Sequence, residues 1–360
     1  MSYLIDKEKR PVYLQLYKQL RDDIINGSYR YNSKLPSKRN LAEETGVSII
    51  TVEHAYSLLC DEGYVEARER SGYVVIFRTT DGFAIPEDRP TNHKPSRINH
   101  TYPDFPLSVL RRTMRKVLTE QDILLLEKSP NCGCTELRET IQQYLARNRG
   151  IHVSAEQIVI GAGSEYLYSL IVELLGRHLV YAIESPSYKK IEQIYRASEI
   201  TCDPLPLTSA GIDSTALALT CAQVLHTTPY RSYPSGVTAT ASKRHEYIRW
   251  AEIDGRYIIE DDVESEFSVS MKPTETLFAM SDRDNVIYLN TFSKTISPSL
   301  RIGYMVIPRH LVTAFEEKLG FCSCTVPTFM QLVLTELIAN GDFERHINRV
   351  RRNLRKSSSP

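Results

Sequence analysis

Three short stretches and one arginine beyond residue 160 of this 360-residue chain carry residue types that can work together chemically. Gly161-Ala162-Gly163-Ser164 follows an apolar run and opens a helical pattern. Free amides at a helix N-terminus bind phosphate, although a glycine turn also serves ordinary chain reversals. Ile258-Ile259-Glu260-Asp261-Asp262 places acids at the C-terminal end of a strand pattern, where open α/β sheets bind ligands. Thr291-Phe292-Ser293-Lys294 follows an apolar strand pattern at 286–289. A lysine there either forms an imine with an aldehyde cofactor or is an ordinary surface lysine. Arg301 stands seven residues further on and suits a phosphate. A phosphate site, an acid for a ring nitrogen and an imine-forming lysine are the parts that a pyridoxal phosphate pocket needs.

Such parts need a scaffold. Beyond residue 100, helical patterns (135–147, 166–175) alternate with short apolar runs (157–160, 178–183, 257–259, 286–289). That alternation predicts an α/β domain with helices on both faces of a largely parallel sheet. Residues 77–100 are rich in Pro, Asp, Arg, Thr and Asn without periodicity and read as a linker.

Composition limits the function classes. Lys+Arg and Asp+Glu both number 44, hydrophobic residues make up 42% and charged residues 24%. This is a globular composition, without a polybasic coat, and the length suggests two or more domains. No run of 18 apolar residues predicts a membrane span, and the charged start does not read as a secretory signal. Seven cysteines, an odd count, fit a reduced cytoplasmic chain. The pairs Cys132/Cys134 and Cys322/Cys324 have single-residue gaps and no histidine at ligand spacing, so no metal is expected.

Residues 12–76 read as a separate module. Val12, Leu16, Leu20, Ile24 and Ile25 recur at helical spacing up to Gly27. Ser37 suits the N-cap of a short helix over 38–44, which Gly46 ends, and Ser48 suits the N-cap of a second over 49–61. Two short β-prone runs, 64–67 and 72–76, flank the charged tip Arg68-Glu69-Arg70-Ser71. Helix, helix–turn–helix and hairpin make a winged helix. Residues 1–78 hold 12 basic and 11 acidic residues, so the DNA argument is local. Lys34, Lys38 and Arg39 cluster at the first short helix, and Arg68 and Arg70 sit on the wing, placed to clamp phosphates.

The stretch LPSKRNLAEETGVSIITVEHAYSLLCDEGYVEARERSGYVV resembles the GntR class of bacterial regulators. The resemblance implies DNA contacts from Arg39, Ser48 and Thr51, with His54 on the same helix and Tyr56 partly in the core. Two departures stand out. Ile49 fills a position often held by Arg, and Arg70 fills a wing position often held by Gly.

NCGCTELRETIQQYLARNRG, EQIVIGAGSEYLYSL, ESPSY, TTPYRSYPSG, YIIEDDVESEF and YLNTFSKTISPSLRIGYMVIP resemble fold-type-I aminotransferases in their order along the chain. The tandem resembles the MocR subfamily of GntR regulators. The implied organisation is a winged helix-turn-helix (8–77), a linker (78–100) and a three-layer α/β/α aminotransferase-like large domain (101–356). By resemblance Lys294 holds pyridoxal 5'-phosphate as an imine and Asp261 pairs with the pyridine nitrogen. Gly163, Ser164, Thr291, Ser293 and Arg301 surround the phosphate, and Tyr188 stacks on the ring. Val263 stands where the family has a Tyr, Glu165 replaces a Gln and threatens to repel the phosphate, and Arg231-Ser232 replaces His-Gln, with Ser232 too short for the Gln's reach. The chain ends RVRRNLRKSSSP, whereas the family continues into a small C-terminal domain with a carboxylate-binding arginine, so that domain is expected to be absent and the basic end to start the helix leading to it. The resemblance implies a DNA-binding transcriptional regulator that senses the cofactor, a homodimer on double-stranded operator DNA, and an amine or amino-acid effector. An active aminotransferase and a regulator without cofactor are the alternatives.

Overall fold

The computed structural model describes residues 3, 5, 11–68, 72–77, 105–253, 255–263, 265–267 and 275–358. The chain divides into two compact units, Met1–Arg97 and Ile98–Pro360.

In the first unit, α3 (Ile49–Asp61) packs against both α1 (Val12–Ile25) and α2 (Lys38–Thr45), with a hairpin of β1 (Val65–Arg68) and β2 (Gly72–Val75). Ser37 and Ser48 cap α2 and α3 as their positions predict. Their hydroxyls accept from Asn40 N at 3.2 Å and Thr51 N at 3.1 Å. Gly46 ends α2 at φ +65°, a conformation that costs glycine little. Leu16, Leu20, Leu41, Val52, Tyr56 and Leu59 fill a core without measurable exposure. Tyr56, expected partly in the core, is wholly inside it, and its hydroxyl donates to Pro36 O at 2.8 Å. The linker over 78–100 lies outside the described residues.

The strands of the second unit are β3 (Ile158–Gly161), β4 (Val180–Ser185), β5 (Thr201–Thr208), β6 (Gly211–Ile212), β7 (Val224–Thr227), β8 (Tyr257–Asp261), β9 (Val286–Thr291) and β10 (Gly303–Val306). The described helices run α4 (Leu107–Glu120), α5 (Asp122–Leu126), α6 (Thr135–Arg149), α7 (Ser164–Leu175), α8 (Lys189–Ala197), α9 (Ser214–Leu219), α10 (Ala241–Ala251), α11 (Leu277–Met280), α12 (Val312–Leu319), α13 (Thr328–Ala339) and α14 (Asp342–Ser358).

The strands form one sheet in the order β3-β10-β9-β8-β7-β4-β5-β6. It is parallel from β9 to β5, whereas β10 runs antiparallel to both β3 and β9. Alternate residues serve opposite faces, as strand geometry requires. Ile158, Tyr288 and Tyr304 face the core under α6, α13 and α14, while Val159, Leu289 and Met305 face the core under α7, α8 and α12. With both faces covered, β8 and β9 are apolar runs rather than alternating patterns. Their C-terminal ends deliver Asp261 and Thr291 to one edge of the sheet.

Candidate functional site

Asp261 is the last residue of β8 and 4% exposed. Its Oδ2 accepts from the Tyr168 hydroxyl of α7 and lies 3.7 Å from His226 Nε2 on β7. His226 Nδ1 in turn meets the Tyr195 hydroxyl at 2.6 Å. With Tyr195 donating, the imidazole hydrogen sits on Nε2 and points its positive edge at the carboxylate. Burial and the Asp261 charge push the Tyr168 phenol well above its ordinary range, so it remains a donor. Asp261 Oδ1 is buried with no hydrogen-bond partner among the described residues. An orphaned carboxylate oxygen is costly unless a ligand satisfies it.

That oxygen's residue lines a cavity of about 370 Å³ which also includes Lys294, Tyr188, Thr228 and Tyr233. Lys294 stands in the turn directly after β9, exposed. Tyr188, at the N-cap of α8, meets Tyr233 edge-to-face with centroids 6.2 Å apart. At the other end Ser164, Glu165, Thr291, Ser293 and Arg301 line the cavity. Thr291 Oγ1 donates to Ile302 O at 3.0 Å and accepts from Ser293 N at 3.2 Å, which ties this turn to the start of β10. Gly163 sits at φ +91°, and a Cβ there would come within 3.2 Å of Arg301 Nη2. The guanidinium thus lies against the glycine loop that precedes α7.

These residues fit pyridoxal phosphate: an orphaned acid at one end, a cation and a helix N-terminus at the other, and a lysine on the wall. The sequence reading missed Tyr168, His226, Thr228 and Tyr233. It expected Glu165 to repel phosphate. Instead Glu165 is ion-paired, its carboxylate 2.5 Å from Lys190 Nζ and 3.3 Å from Arg301 Nη2. Val263 lines the wall and brings no hydroxyl. Ser232, expected to be too short for the Gln's reach, does not line the cavity; it is buried and donates to Glu184. Glu184 also accepts from Thr227 Oγ1 at 2.5 Å and Thr228 N at 3.0 Å, and burial raises its carboxyl above the usual range. That cluster anchors the segment, from which Thr228 lines the cavity. Arg231 is exposed and does not line it.

In the first unit the predicted DNA contacts separate into two groups. Arg39, Ser48 and His54 are exposed, and Thr51 is half-buried. Ser48 and Thr51 hydroxyls meet at 2.8 Å within the cap. His54 lies edge-on to Tyr13, ring centroids 5.7 Å apart. Lys38 and Arg68, expected as phosphate clamps, are engaged within the protein. Lys38 Nζ lies 2.6 Å from Glu53 and Arg68 Nε lies 2.8 Å from Glu66. Arg70 lies outside the described residues. Ile49 and Ile50, at the start of α3, are 46% and 65% exposed.

No group of metal-ligating side chains and no helix long and apolar enough to cross a membrane occurs among the described residues.

Comparison with known proteins follows this division. Residues 12–75 match the model of bacterial regulatory proteins of the gntR family, and residues 101–359 match aminotransferase class I and II. The uncharacterized HTH-type transcriptional regulator YdeL of Bacillus subtilis (strain 168) is 32% identical over 96% of this chain and 77% of its own length. The probable rhizopine catabolism regulatory protein MocR of Rhizobium meliloti is 27% identical over 95% of this chain and 74% of its own. Among solved structures, Pyrococcus horikoshii kynurenine aminotransferase in complex with PMP superposes with a TM-score of 0.62 at 27% identity. That match covers 70% of this chain and 65% of the aminotransferase, so the chain spans just under two thirds of that enzyme's length. A winged helix joined to a fold-type-I aminotransferase-like domain, matched to such regulators over nearly all of this chain, places it in the GntR family of bacterial transcriptional regulators, MocR type, whose members bind DNA.

Proposed function

We propose that the aminotransferase-like domain binds pyridoxal 5'-phosphate and uses it as a sensor that modulates DNA binding by the winged helix. The observation that carries this is the unpartnered Oδ1 of buried Asp261, a residue that lines the same cavity as Lys294. When bound, the cofactor supplies an aldehyde that captures amines and a ring that withdraws electrons. Lys294 holds it covalently. Asp261 would pair with the ring nitrogen, and the Tyr168 hydroxyl holds Asp261 in its orientation. Ser164, Thr291 and Ser293 offer hydrogen bonds to the phosphate, Arg301 offers charge, and Tyr188 covers the ring. An amine or amino-acid effector reaching the same aldehyde would compete with Lys294 for it. Such a ligand switches DNA binding only through different affinity for two arrangements of the protein. A homodimer on paired half-sites, acting in the cytoplasm where the operator lies, completes the reading.

The test is a visible absorbance titration of the purified full-length chain with pyridoxal phosphate, alongside Lys294→Ala. A band present in the wild type and absent from the variant supports the reading; identical spectra in folded protein overturn it. One observation favours a second reading, a regulator without cofactor: Arg301 already has an anion, Glu165. Identical spectra would select that reading.

A further inference from the structure

The charged groups at the phosphate end of the cavity are already mutually engaged. Glu165 occupies the first turn of α7, where an anion is favoured by the free amides. One carboxylate oxygen reaches Lys190 at the start of α8 and the other reaches Arg301 beyond β9. Lys190 first, and Arg301 after it, hold this carboxyl below the usual range, so it stays charged. Arg301 is simultaneously pressed against Gly163, where a Cβ would stand 3.2 Å from its guanidinium. Its reach is therefore confined to the loop and the carboxylate beside it.

We propose that Glu165 is an internal counter-anion, which a phosphate ester must displace from Arg301 to enter, and that this side chain therefore sets the cavity's selectivity between phosphorylated and unphosphorylated aldehydes. The inference rests on the cofactor reading above. A dianion placed against the α7 N-terminus faces the Glu165 charge at close range, and only one anion at a time takes the Arg301 fork. All three side chains are a third to a half exposed, so solvent screens the competition and limits its size. An unphosphorylated aldehyde meets Lys294 and Asp261 without disturbing the Glu165 pair. A neutral residue at 165 would open the phosphate end without altering the ring end. The result is a pocket that loads only when the phosphorylated cofactor is abundant, which suits a sensor better than a tightly charged enzyme.

Binding of pyridoxal phosphate and of pyridoxal to the full chain, read by the lysine-dependent visible band, decides it. Glu165→Gln is expected to tighten pyridoxal phosphate about fivefold and leave pyridoxal within about twofold. Lys190→Ala, which removes a cation and leaves Glu165 to Arg301 alone, is expected to weaken pyridoxal phosphate by about threefold. An unchanged or reduced preference for the phosphorylated aldehyde in Glu165→Gln overturns the inference and leaves the cofactor reading standing. Where neither aldehyde binds any form, the cofactor reading fails, and inorganic phosphate then tests the counter-anion. Phosphate should raise the melting temperature of Glu165→Gln at concentrations that leave the wild type unmoved. Equal responses overturn it.

Discussion

The two ends of the cavity solve the problem of holding charge in opposite ways. At the ring end Asp261 is almost wholly buried and partnered on one oxygen only; at the phosphate end Glu165, Lys190 and Arg301 are partly exposed and neutralise one another. Burial fixes the first. A carboxylate held by the Tyr168 hydroxyl, with His226 3.7 Å away, is fixed on one oxygen and leaves the other without a partner among the described residues. Exposure frees the second. Long side chains in contact with solvent find each other at little cost, and their pairing is worth at most about 1 kcal/mol. The ring end is therefore preorganised, and the phosphate end is adjustable.

The sharpest way to break this contrast is at the ring end. Lys294→Ala should abolish the visible band altogether, since no other lysine lines the cavity among the described residues. Asp261→Asn should follow, weakening cofactor binding by about 2–3 kcal/mol, on the order of 100-fold, because a hydrogen bond to a charged buried partner is lost. Equilibrium titration of both variants checks the order. If Asp261→Asn binds as tightly as wild type, the orphaned oxygen does not face the ring and the preorganised end has been misassigned.

The same contrast predicts a pH dependence elsewhere in the domain. His346 of α14 is 3% exposed, packed against Phe105 with ring centroids 4.9 Å apart, and its Nδ1 faces Arg349 at 2.9 Å. Burial, then the Arg349 charge, push its pKa down to about 4. The unfolded chain binds a proton here near pH 6.5, before the folded one does. His346 therefore contributes fully above pH 6.5, and its contribution is lost as pH falls toward 4. The expected cost at pH 5 relative to pH 7 is about 1–2 kcal/mol. Urea midpoints at the two pH values measure it. His346→Leu should flatten the difference, and an undiminished pH dependence in that variant would place the titration elsewhere.

Which parts could be read from the sequence follows from how local their causes are. Ser37, Gly46 and Ser48 act within four residues of themselves, and α2 and α3 begin where those caps predict. Asp261 could be found because it closes an apolar run on β8, and Lys294 because it stands in the turn that follows the apolar run of β9. Strand β10 was missed: four residues buried on both faces between β3 and β9 carry no alternation to distinguish them from a loop. Tyr168 and His226 were missed for a different reason. They come from α7 and β7, and only the pairing of β7 with β8 brings His226 beside the Asp261 strand. Glu165 was recognised as unusual, but its ion-pair partner was not, because Lys190 lies 25 residues away and only the packing of α7 on α8 unites them. Charge is visible in a sequence; the partner that cancels it is not.

That last point extends to the winged helix, where neighbouring basic residues should differ in effect. Lys38 and Arg39 stand side by side at the start of α2, equal in charge and in sequence position. Lys38 is committed to Glu53 at 2.6 Å and lies 5.9 Å from the Tyr73 ring centroid. Arg39 is exposed and makes no ion pair among the described residues. A phosphate approaching Lys38 must first compete with a carboxylate, whereas one approaching Arg39 exchanges only water and salt ions. Arg39→Ala should weaken binding to operator DNA about tenfold at moderate salt and lower the salt slope by about one, leaving the cofactor band unchanged. Lys38→Ala should cost less than about threefold, since Glu53 already neutralises the charge that is removed. Fluorescence anisotropy across a salt series resolves both. Equal losses would show that DNA displaces Glu53 as readily as water, and would make the exposed pairs of this protein mobile counter-charges rather than committed contacts.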